Sequence, residues 1–417
     1  MRKALRLSAA IAAVCVLTVF TQAQIQTTRA NSYKEKVLHA FTGGSDGGQP
    51  NALVRDAEGN LYGATAFGGN ISGNCGQLNG CGVVFEFSAS GKFEVLHTFD
   101  YSDGAVPNDL IYDGSGSLYG TAAGGNSACQ DGGCGVIFKL TTAGDFSLLY
   151  EFKGLSDGSN PNGLTMGGNK NLYGTTSANT SSYQEYGEVF ELTTSGQFDV
   201  LYSFNGITGG NDPTGVIQDS EGNLYGTTVG GGDTSCVLQK ESGCGLVYKL
   251  DTSGKETVLY SFKGKSDGAF PASPLVMDKA GNLYGTAPLG GYEKRNCHLP
   301  DSPVGCGTVF KIDTAGTFSA LVKFDSADGN YPGPLTEDTY GTVFGATALG
   351  GRGCCEGGGV VYKLAASGKE SVMYENFAGK SDGQWPIKVV ADGRGNLYGA
   401  TVFGGASNRG VLFELTP

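Results

Sequence analysis

Apolar residues recur along the chain in short segments that are separated by runs of Gly, Asp, Asn and Ser. These segments are rich in β-branched and aromatic residues, and helical periodicity of useful length is absent after the N-terminal stretch. Short segments of this composition, bounded by turn-forming residues, are typical of β-strands joined by tight turns. The pattern therefore predicts an all-β protein.

Three of these segments recur seven times in a fixed order and divide the chain into seven units. Segments of the type Leu-Tyr-Gly begin at Leu61, Leu118, Leu172, Leu224, Leu283, Val343 and Leu397. Segments of the type Gly-Val-Val-Phe begin at Gly82, Gly135, Gly187, Gly245, Gly307, Gly359 and Gly410. Aromatic-ended segments such as VLYSF occupy residues 37–41, 95–99, 148–152, 200–204, 258–262, 320–324 and 372–377. With the segment that follows the proline of a recurring SDGxxP frame, each unit has four predicted strands, named A to D in chain order.

The two ends of the chain complement each other. The first strand, residues 37–41, is of type D, whereas the last unit, from Ile387 to Pro417, has strands A, B and C only. A ring explains both ends, because the N-terminal strand completes the last sheet and removes exposed edges. We therefore predict a seven-bladed β-propeller with four-stranded antiparallel blades, closed by the N-terminal strand. The predicted blades span residues 51–99, 108–152, 162–204, 214–262, 273–324, 333–377 and 387–417 with 35–41.

The N-terminal residues 1–23 have the composition of an export signal. Basic residues at positions 2, 3 and 6 precede an apolar run from Ala9 to Phe20, and small residues follow it. The run is shorter than the ~20 apolar residues of a membrane-spanning helix. We expect a signal peptide at residues 1–23, a polar linker at residues 24–34 and no membrane span. The propeller, residues 35–417, is then exported to the periplasm, the cell surface or the medium.

The net charge limits the choice of partners. It moves from −12 to −15 when the signal is removed, because residues 1–23 carry three positive charges and no negative ones. An acidic surface repels phosphate backbones and anionic lipid headgroups. We expect no nucleic-acid partner, and we expect the protein to be a monomer.

The tandem frame SDGxxP, DxxGNLYGTTxxGG, GxVFKL and VLYSF resembles the GloVer-type tandem-repeat proteins, an exported bacterial group with varied C-terminal anchors. The resemblance covers all seven units and rests on several markers in fixed order. It implies an exported propeller and no established activity. Because this chain ends at Thr416-Pro417 directly after a strand, we expect a released protein.

Ten cysteines lie in five pairs, all between strands B and C. The pairs are Cys75 and Cys81, Cys129 and Cys134, Cys236 and Cys244, Cys297 and Cys306, and Cys354 and Cys355. We expect each pair to form a disulfide within its own loop, because no CxxC pairs or histidine ligands suggest zinc. A bond between the adjacent Cys354 and Cys355 would be strained and easily reduced, which leaves a redox or ligand-contact role open there.

The SDGxxP frame carries an aspartate in six of the seven copies. These residues are Asp46, Asp103, Asp157, Asp267, Asp328 and Asp382. A ring of carboxylates that binds calcium is one interpretation. Turn chemistry is the interpretation that we favour, because Asp-Gly pairs are typical of turns and no clustered D-x-D-x-D loop is present. We expect no cofactor and no metal site, with calcium as the alternative.

The residue before the proline of this frame differs between copies. It is Phe270, Tyr331 and Trp385 in units five to seven, and Gln49, Val106, Asn160 and Asp212 in units one to four. The D–A and B–C loops of a propeller emerge on one face, where ligands usually bind. We predict a stacking platform of these three aromatic residues, with Asp267, Asp328 and Asp382 as nearby acceptors. The alternative is that the rings only pack beneath their loops.

The sequence gives little indication of catalysis. No catalytic motif is present, His39 and His97 lie in D strands, and His298 lies in a cysteine loop. We therefore predict a non-enzymatic binding propeller for a glycan or a cell-envelope component, with no catalytic residues. The alternatives are an extracellular polysaccharide lyase or hydrolase that uses carboxylates on the loop face, and a protein-interaction scaffold.

Overall fold

The computed structural model describes residues 33–126, 133–154, 157–177, 186–238, 241–291, 297, 305–351, 358–365, 368, 370–375, 377–379 and 381–417. Within these residues the chain forms seven four-stranded antiparallel sheets, each with the spatial order A, B, C, D. The predicted signal peptide, residues 1–23, and residues 24–32 of the predicted linker lie outside the described residues. The predicted all-β fold and the seven blades are confirmed.

The strands follow the recurring segments of the sequence. The A strands are Gly48–Arg55, Ala105–Tyr112, Ser159–Met166, Asn211–Gln218, Val276–Met277, Asn330–Glu337 and Gln384–Ala391. The B strands are Leu61–Phe67, Ser117–Gly124, Leu172–Ser177, Leu224–Gly230, Leu283–Ala287, Val343–Leu349 and Leu397–Phe403. The C strands are Val83–Phe87, Val136–Thr141, Glu188–Leu192, Leu246–Leu250, Thr308–Ile312, Val360–Leu364 and Val411–Thr416. The D strands of blades 1 to 6 are Phe93–Thr98, Phe146–Glu151, Phe198–Ser203, Glu256–Ser261, Phe318–Lys323 and Glu370–Tyr374.

The D strand of blade 7 is the N-terminal strand Lys34–Ala40. It pairs antiparallel with the C-terminal strand Val411–Thr416, from Lys34 opposite Thr416 to Ala40 opposite Val411. The two ends of the chain therefore share one sheet, and the predicted closure of the ring is confirmed. An unpaired C strand would offer its edge for pairing with another chain, and closure pairs the C strand of blade 7 with the N-terminal strand.

Two short elements lie in the B–C loops. Helix α1, Gly73–Gln77, precedes strand C of blade 1. A two-stranded ribbon, Val237–Leu238 with Glu241–Ser242, precedes strand C of blade 4.

The A strands begin earlier than the sequence suggested. We placed them after the proline of the SDGxxP frame, but in six blades they begin two residues before it, as Gly48 does before Pro50. The proline has no N–H to donate to the ladder, and the register shifts just after it. Blade 5 has a second proline, Pro274, and its strand A is reduced to Val276–Met277.

Strands B and C are locked together by a glycine and an aromatic ring. The ring of Phe85 is fully buried and lies over Gly63, where a Cβ atom would come within 2.4 Å of Phe85 Cζ. The same arrangement recurs in the other six blades. This contact explains why Leu-Tyr-Gly and Gly-Val-Val-Phe segments occur together in every unit, because a side chain at the glycine would displace the ring.

Neighbouring blades also meet at the outer circumference, in what we call the outer contacts. In four interfaces a His or Tyr ring of one D strand stacks on the Phe that opens the next D strand. The pairs are His39–Phe93, His97–Phe146, Tyr150–Phe198 and Tyr260–Phe318, with ring centroids 3.7–4.0 Å apart. The hydroxyl or Nε2 atom of each stacked ring forms a hydrogen bond with the aspartate of its own SDGxxP frame, as Tyr260 Oη does with Asp267 at 2.9 Å. The frame aspartates are thus part of the blade contacts.

The other three D strands have a glutamate, Glu35, Glu256 or Glu370, in place of the stacked phenylalanine, and in two of these interfaces a tyrosine bonds to it. Tyr202 Oη donates to Glu256 Oε2 at 2.6 Å, and Tyr374 Oη donates to Glu35 Oε2 at 3.2 Å. The frame that follows Tyr202 is TGGNDP, the copy without the usual aspartate. At Tyr202 the glutamate of the next blade thus accepts the hydrogen bond that the frame aspartate accepts from Tyr150 and Tyr260, whereas Tyr374 bonds to Glu35 although its frame retains Asp382.

Candidate functional site

The residue before each frame proline links its blade to the preceding one. Its N–H donates to the carbonyl of the second residue before strand C of the preceding blade, at 2.7–3.0 Å in all seven interfaces. Its φ is positive, between 51° and 63°, in every copy. The seven residues are Gln49, Val106, Asn160, Asp212, Phe270, Tyr331 and Trp385. The repeated frame is therefore an inter-blade clasp.

The frame proline completes the clasp. Its ring lies against the glycine that precedes strand C of the neighbouring blade, so that a Cβ atom at Gly359 would be 2.5 Å from Pro386 Cδ. The corresponding distances in the other six interfaces are 2.4–2.8 Å. These glycines also have positive φ, which favours glycine over any other residue. The clasp fixes the backbone of the loops around the central channel.

The channel opens on this face into a cavity of about 490 Å³, which we call the channel mouth. Residues of all seven blades line it, including Tyr331 and Trp385. The side chain of Trp385 is 38% exposed, and that of Tyr331 is 42% exposed. Trp385 is supported by an edge-to-face contact with Phe403, at 5.1 Å between ring centroids. Two of the three predicted platform residues thus present their rings to the channel mouth.

Phe270 is placed differently from the other two aromatic residues. It packs against the buried cluster of blades 4 and 5 that contains Phe262, Leu275 and Phe310. It is not among the described residues that line the channel mouth.

The three predicted acceptors have partners within their own loops. Asp267 is buried and accepts hydrogen bonds from Tyr260 Oη and from the N–H of Lys263 at 2.8 Å. Asp382 accepts from the N–H of Ala378 at 3.0 and 3.1 Å, and Asp328 accepts from the N–H of Asp325 at 2.7 Å. None of the three is among the described residues that line the channel mouth. These contacts are those of turn-stabilising aspartates.

Backbone geometry makes the exposed aromatic residues costly. A bulky residue with positive φ is a strained conformation that costs of order 1–3 kcal/mol, whereas Asn, Asp and Gly tolerate it. Asn160 and Asp212 occupy the same position in blades 3 and 4 without this penalty. Packing of Phe270 in its cluster offsets the strain there, but Tyr331 and Trp385 leave about 40% of their side chains exposed. Burial therefore does not account for their presence.

Blades 1 to 3 give the channel mouth a polar part of its wall. The residue after the frame proline is Asn51, Asn108 and Asn162 in blades 1 to 3, and all three line the cavity. Asn51 and Asn108 donate to the carbonyls of Pro107 and Pro161 in the next blade, at 2.7 and 2.9 Å. Asn51 Oδ1 accepts no hydrogen bond from the described residues. The mouth thus has an aromatic side in blades 6 and 7 and a carboxamide side in blades 1 to 3.

Sequence reasoning missed two charged residues of the cavity wall, Asp109 and Lys388. Each lies two residues after its frame proline, where other blades have small or neutral residues such as Ala52 and Gly163. Both residues differ from their counterparts in the other copies, so the difference between copies at this position is the signal that identifies them. The same kind of signal identifies the asparagines, which were also missed.

The described cysteines confirm loop disulfides. Bonds join Cys75 to Cys81, Cys236 to Cys244 and Cys297 to Cys306, with Cα atoms 4.9–5.8 Å apart. Cys134 is also disulfide-bonded, whereas Cys129, Cys354 and Cys355 lie outside the described residues. Cys81, Cys134, Cys244 and Cys306 provide the carbonyls that accept the clasp hydrogen bonds. The disulfides therefore brace the channel mouth, and they indicate a location outside the cytoplasm.

The described histidines lie far from the channel mouth in the fold. His97 Nε2 is 2.8 Å from Asp103 Oδ2, and His39 Nε2 is 3.1 Å from Asp46 Oδ2, both on outer D strands. Burial lowers the pKa of His39, although hydrogen bonding to Asp46 opposes this. Among the described residues, no group of three His, Cys, Asp or Glu side chains is arranged to hold a metal ion. His298 lies outside the described residues.

Within the part of the chain that the structure describes, no helix has both the length and the apolar character needed to cross a bilayer.

Solved structures with a similar fold include streptogramin B lyase and virginiamycin B lyase. Streptogramin B lyase has 13% sequence identity and a TM-score of 0.58, with 92% of this chain and 97% of that chain covered. Virginiamycin B lyase from Staphylococcus aureus has 14% identity and a TM-score of 0.60, with 93% and 100% covered. A catalytically inactive His-to-Ala variant of the latter, bound to quinupristin, has a TM-score of 0.58 at 14% identity, with the same coverage. At this identity the likeness shows the propeller fold alone.

Comparison with curated proteins found no match. The model of the Gloeobacter/Verrucomicrobia repeat matches residues 19–237, 72–297, 178–351 and 299–417, which together include nearly the whole chain. These matches confirm the resemblance drawn from the tandem markers. The chain therefore belongs to the Gloeobacter/Verrucomicrobia repeat family.

Proposed function

We propose that this protein is an exported, non-enzymatic binding propeller that takes a saccharide of a glycan or of the cell envelope at the channel mouth. The observation that carries the proposal is the pair of exposed aromatic rings, Tyr331 and Trp385, held on a strained backbone without the compensation of burial. Aromatic faces that line a cavity stack on the apolar C–H faces of sugar rings. The carboxamides of Asn51, Asn108 and Asn162, whose amide nitrogens donate to protein oxygens, make another part of the cavity wall polar.

Binding without turnover is favoured by the chemistry of the cavity wall. The frame carboxylates that an acid–base mechanism would use are occupied by backbone N–H groups, as at Asp382. The similar lyase from Staphylococcus aureus becomes inactive when a histidine is replaced by alanine. The described histidines of this chain, His39 and His97, lie on outer D strands. The fold likeness to lyases supports an enzyme only as the second candidate.

The single tryptophan provides a direct test. Because Trp385 is the only indole in the chain, intrinsic tryptophan fluorescence reports on the channel mouth alone. Titration with a panel of oligosaccharides should shift or quench this emission, and calorimetry should show affinity reduced about ten-fold or more in Trp385→Ala. Tyr340→Ala is the matched control, because Tyr340 is a 76% exposed aromatic residue in an A–B turn on the opposite face. Equal binding by wild type and Trp385→Ala would contradict the proposal.

The same panel separates the alternatives. Release of reducing ends or of unsaturated products would identify a hydrolase or a lyase, and the binding proposal would then be wrong. An absence of any saccharide binding, with specific capture of an envelope protein that Trp385→Ala loses, would favour an interaction scaffold instead.

A further inference from the structure

Two charged side chains line the central channel between its two openings. The position two residues after the frame proline is Ala52, Asp109, Gly163, Gly215, Ser273, Pro334 and Lys388 in blades 1 to 7. Asp109 and Lys388 line both the channel mouth and the cavity that opens on the opposite face. They therefore lie between the two openings, below the rings of Tyr331 and Trp385.

The carboxylate of Asp109 has a structural role. Its Oδ1 accepts from the N–H of Leu110 at 2.8 Å, and its Oδ2 accepts from the N–H of Leu164 in blade 3 at 2.6 Å. Gly163, the residue before Leu164, has a φ of +56°. Asp109 therefore joins strand A of blade 2 to strand A of blade 3.

Lys388 has no comparable role. Its ammonium group makes no hydrogen bond or ion pair with any residue in the described part of the chain, and Asp109 lies beyond 4 Å from it. It is the only basic side chain among the described residues that line the channel mouth. Trp385 lies three residues earlier on the same strand, Gln384–Ala391. A cation without a partner in a partly enclosed, aromatic-walled cavity is a site for an anionic group.

We infer that the ligand of the channel mouth is an acidic saccharide, in which one uronate carboxylate pairs with Lys388 while a sugar ring stacks on Trp385. This inference rests on the proposed function and names the class of its ligand. A singly charged carboxylate matches one ammonium group. A phosphate group carries more charge, and the nearby carboxylates of Asp109 and Asp212 and the net charge of −12 oppose it. The same repulsion disfavours polymers that carry an acid on every sugar unit.

The test compares saccharides that differ only in charge. Each probe is an oligosaccharide that carries one terminal uronate, of gluco, galacto or manno configuration, and is otherwise neutral. Each acid is compared with its own methyl ester. Binding is measured by Trp385 fluorescence and by calorimetry. For at least one pair we expect the acid to bind about ten-fold more tightly than the ester in low salt, with the difference shrinking as salt screens the charges.

Variants of Lys388 assign the effect to its ammonium group. Lys388→Met should bind acid and ester with equal affinity, whereas Lys388→Arg should restore the preference for the acid. Lys153→Met, which removes an exposed lysine outside the channel mouth, should keep the full preference and serves as the control. Thermal melting of each variant confirms that the fold is intact.

The outcomes separate the inference from the proposed function. If acid and ester bind equally to the wild type, or if the preference persists in Lys388→Met, the inference is wrong while a saccharide site at the channel mouth stands. If neither form of any probe changes the fluorescence of Trp385, and no neutral or acidic saccharide of the larger panel does so, both are wrong.

Discussion

The outer contacts and the channel mouth are built on the same sevenfold repeat, but residue differences between the copies have opposite structural consequences in the two regions. At the outer contact between blades 3 and 4 a change on one side is matched on the other. Where Glu256 replaces the stacked phenylalanine, Tyr202 donates its hydroxyl to that glutamate, and the frame aspartate is missing. At the channel mouth the backbone repeats in every blade, but Trp385 and Tyr331 stay exposed and strained. Compensated variation maintains the fold, whereas the uncompensated variation at the channel mouth is the basis of the ligand site that we propose there.

Removal of the closing strand should have the largest effect. A chain that starts at Thr42, compared with one that starts at Tyr33, lacks the D strand of blade 7 and the fully buried Phe41. We expect a loss of about 5 kcal/mol or more in the free energy of unfolding, because Phe burial alone contributes roughly 3–5 kcal/mol and the edge of Val411–Thr416 is exposed. Urea unfolding and size-exclusion chromatography measure stability and aggregation. Unchanged stability would contradict ring closure as the source of cooperativity.

Phe270 tests the distinction between packed and exposed rings at one repeat position. Phe270→Asn removes the ring from its cluster, and we expect a loss of about 2 kcal/mol after partial relief of backbone strain. The measurement is the urea midpoint at constant slope. A loss of stability no larger than that caused by Trp385→Asn would show that Phe270 does not contribute more packing energy than Trp385.

Glu35 gives the outer contacts a pH dependence. Burial and the nearby carboxylate of Asp382 raise the pKa of Glu35 to about 7, above the ordinary glutamate value of 4.5, and the hydrogen bond that Tyr374 Oη donates opposes this rise. Between pH 4.5 and about 7, Glu35 keeps its proton in the folded protein but loses it in the unfolded chain. The free energy of unfolding therefore falls as the pH rises through this window. Because the group is partly exposed and solvent screens it, we expect a loss of about 1–2 kcal/mol between pH 5 and 8.

Glu35→Gln is the test of this dependence. The amide cannot titrate, so the difference in unfolding free energy between pH 5 and 8 should shrink by about the same 1–2 kcal/mol relative to wild type. Glu94→Gln, an exposed glutamate of another D strand, is the control. If Glu35→Gln retains the whole pH dependence of the wild type, another group is responsible.

The smallest effect on stability is expected for the exposed rings. Trp385→Asn and Tyr331→Asn place a residue that tolerates positive φ where a strained aromatic residue was, and little packing is lost. We expect stability within about 0.5 kcal/mol of the wild type, or a gain of up to about 1 kcal/mol, together with weaker ligand binding. Differential scanning calorimetry measures the first effect. A loss of several kcal/mol would show that the rings stabilise the fold.

Much of the molecule could be predicted from the sequence because repetition amplifies weak signals. Strand order, ring closure and the disulfide loops followed from markers such as Leu-Tyr-Gly and from a first strand that lacked its own unit. Each marker reflects a local structural requirement, such as the space that Gly63 leaves for the ring of Phe85. Such requirements are visible in seven copies at once.

The candidate site depended on contacts that the sequence does not contain. Phe270, Tyr331 and Trp385 share one position in the repeat, yet only the packing of neighbouring blades buries the first and leaves the others exposed. The frame aspartates were candidate ligand acceptors until Tyr260 and backbone N–H groups of their own loops were seen to occupy them. The position of Lys388 in the channel wall became visible only in the tertiary structure, where the seven A strands surround one channel. Sequence alone determined the repeating backbone, because each unit obeys the same local rules; the tertiary structure decided which side chains are free, because that depends on the neighbours that the ring supplies.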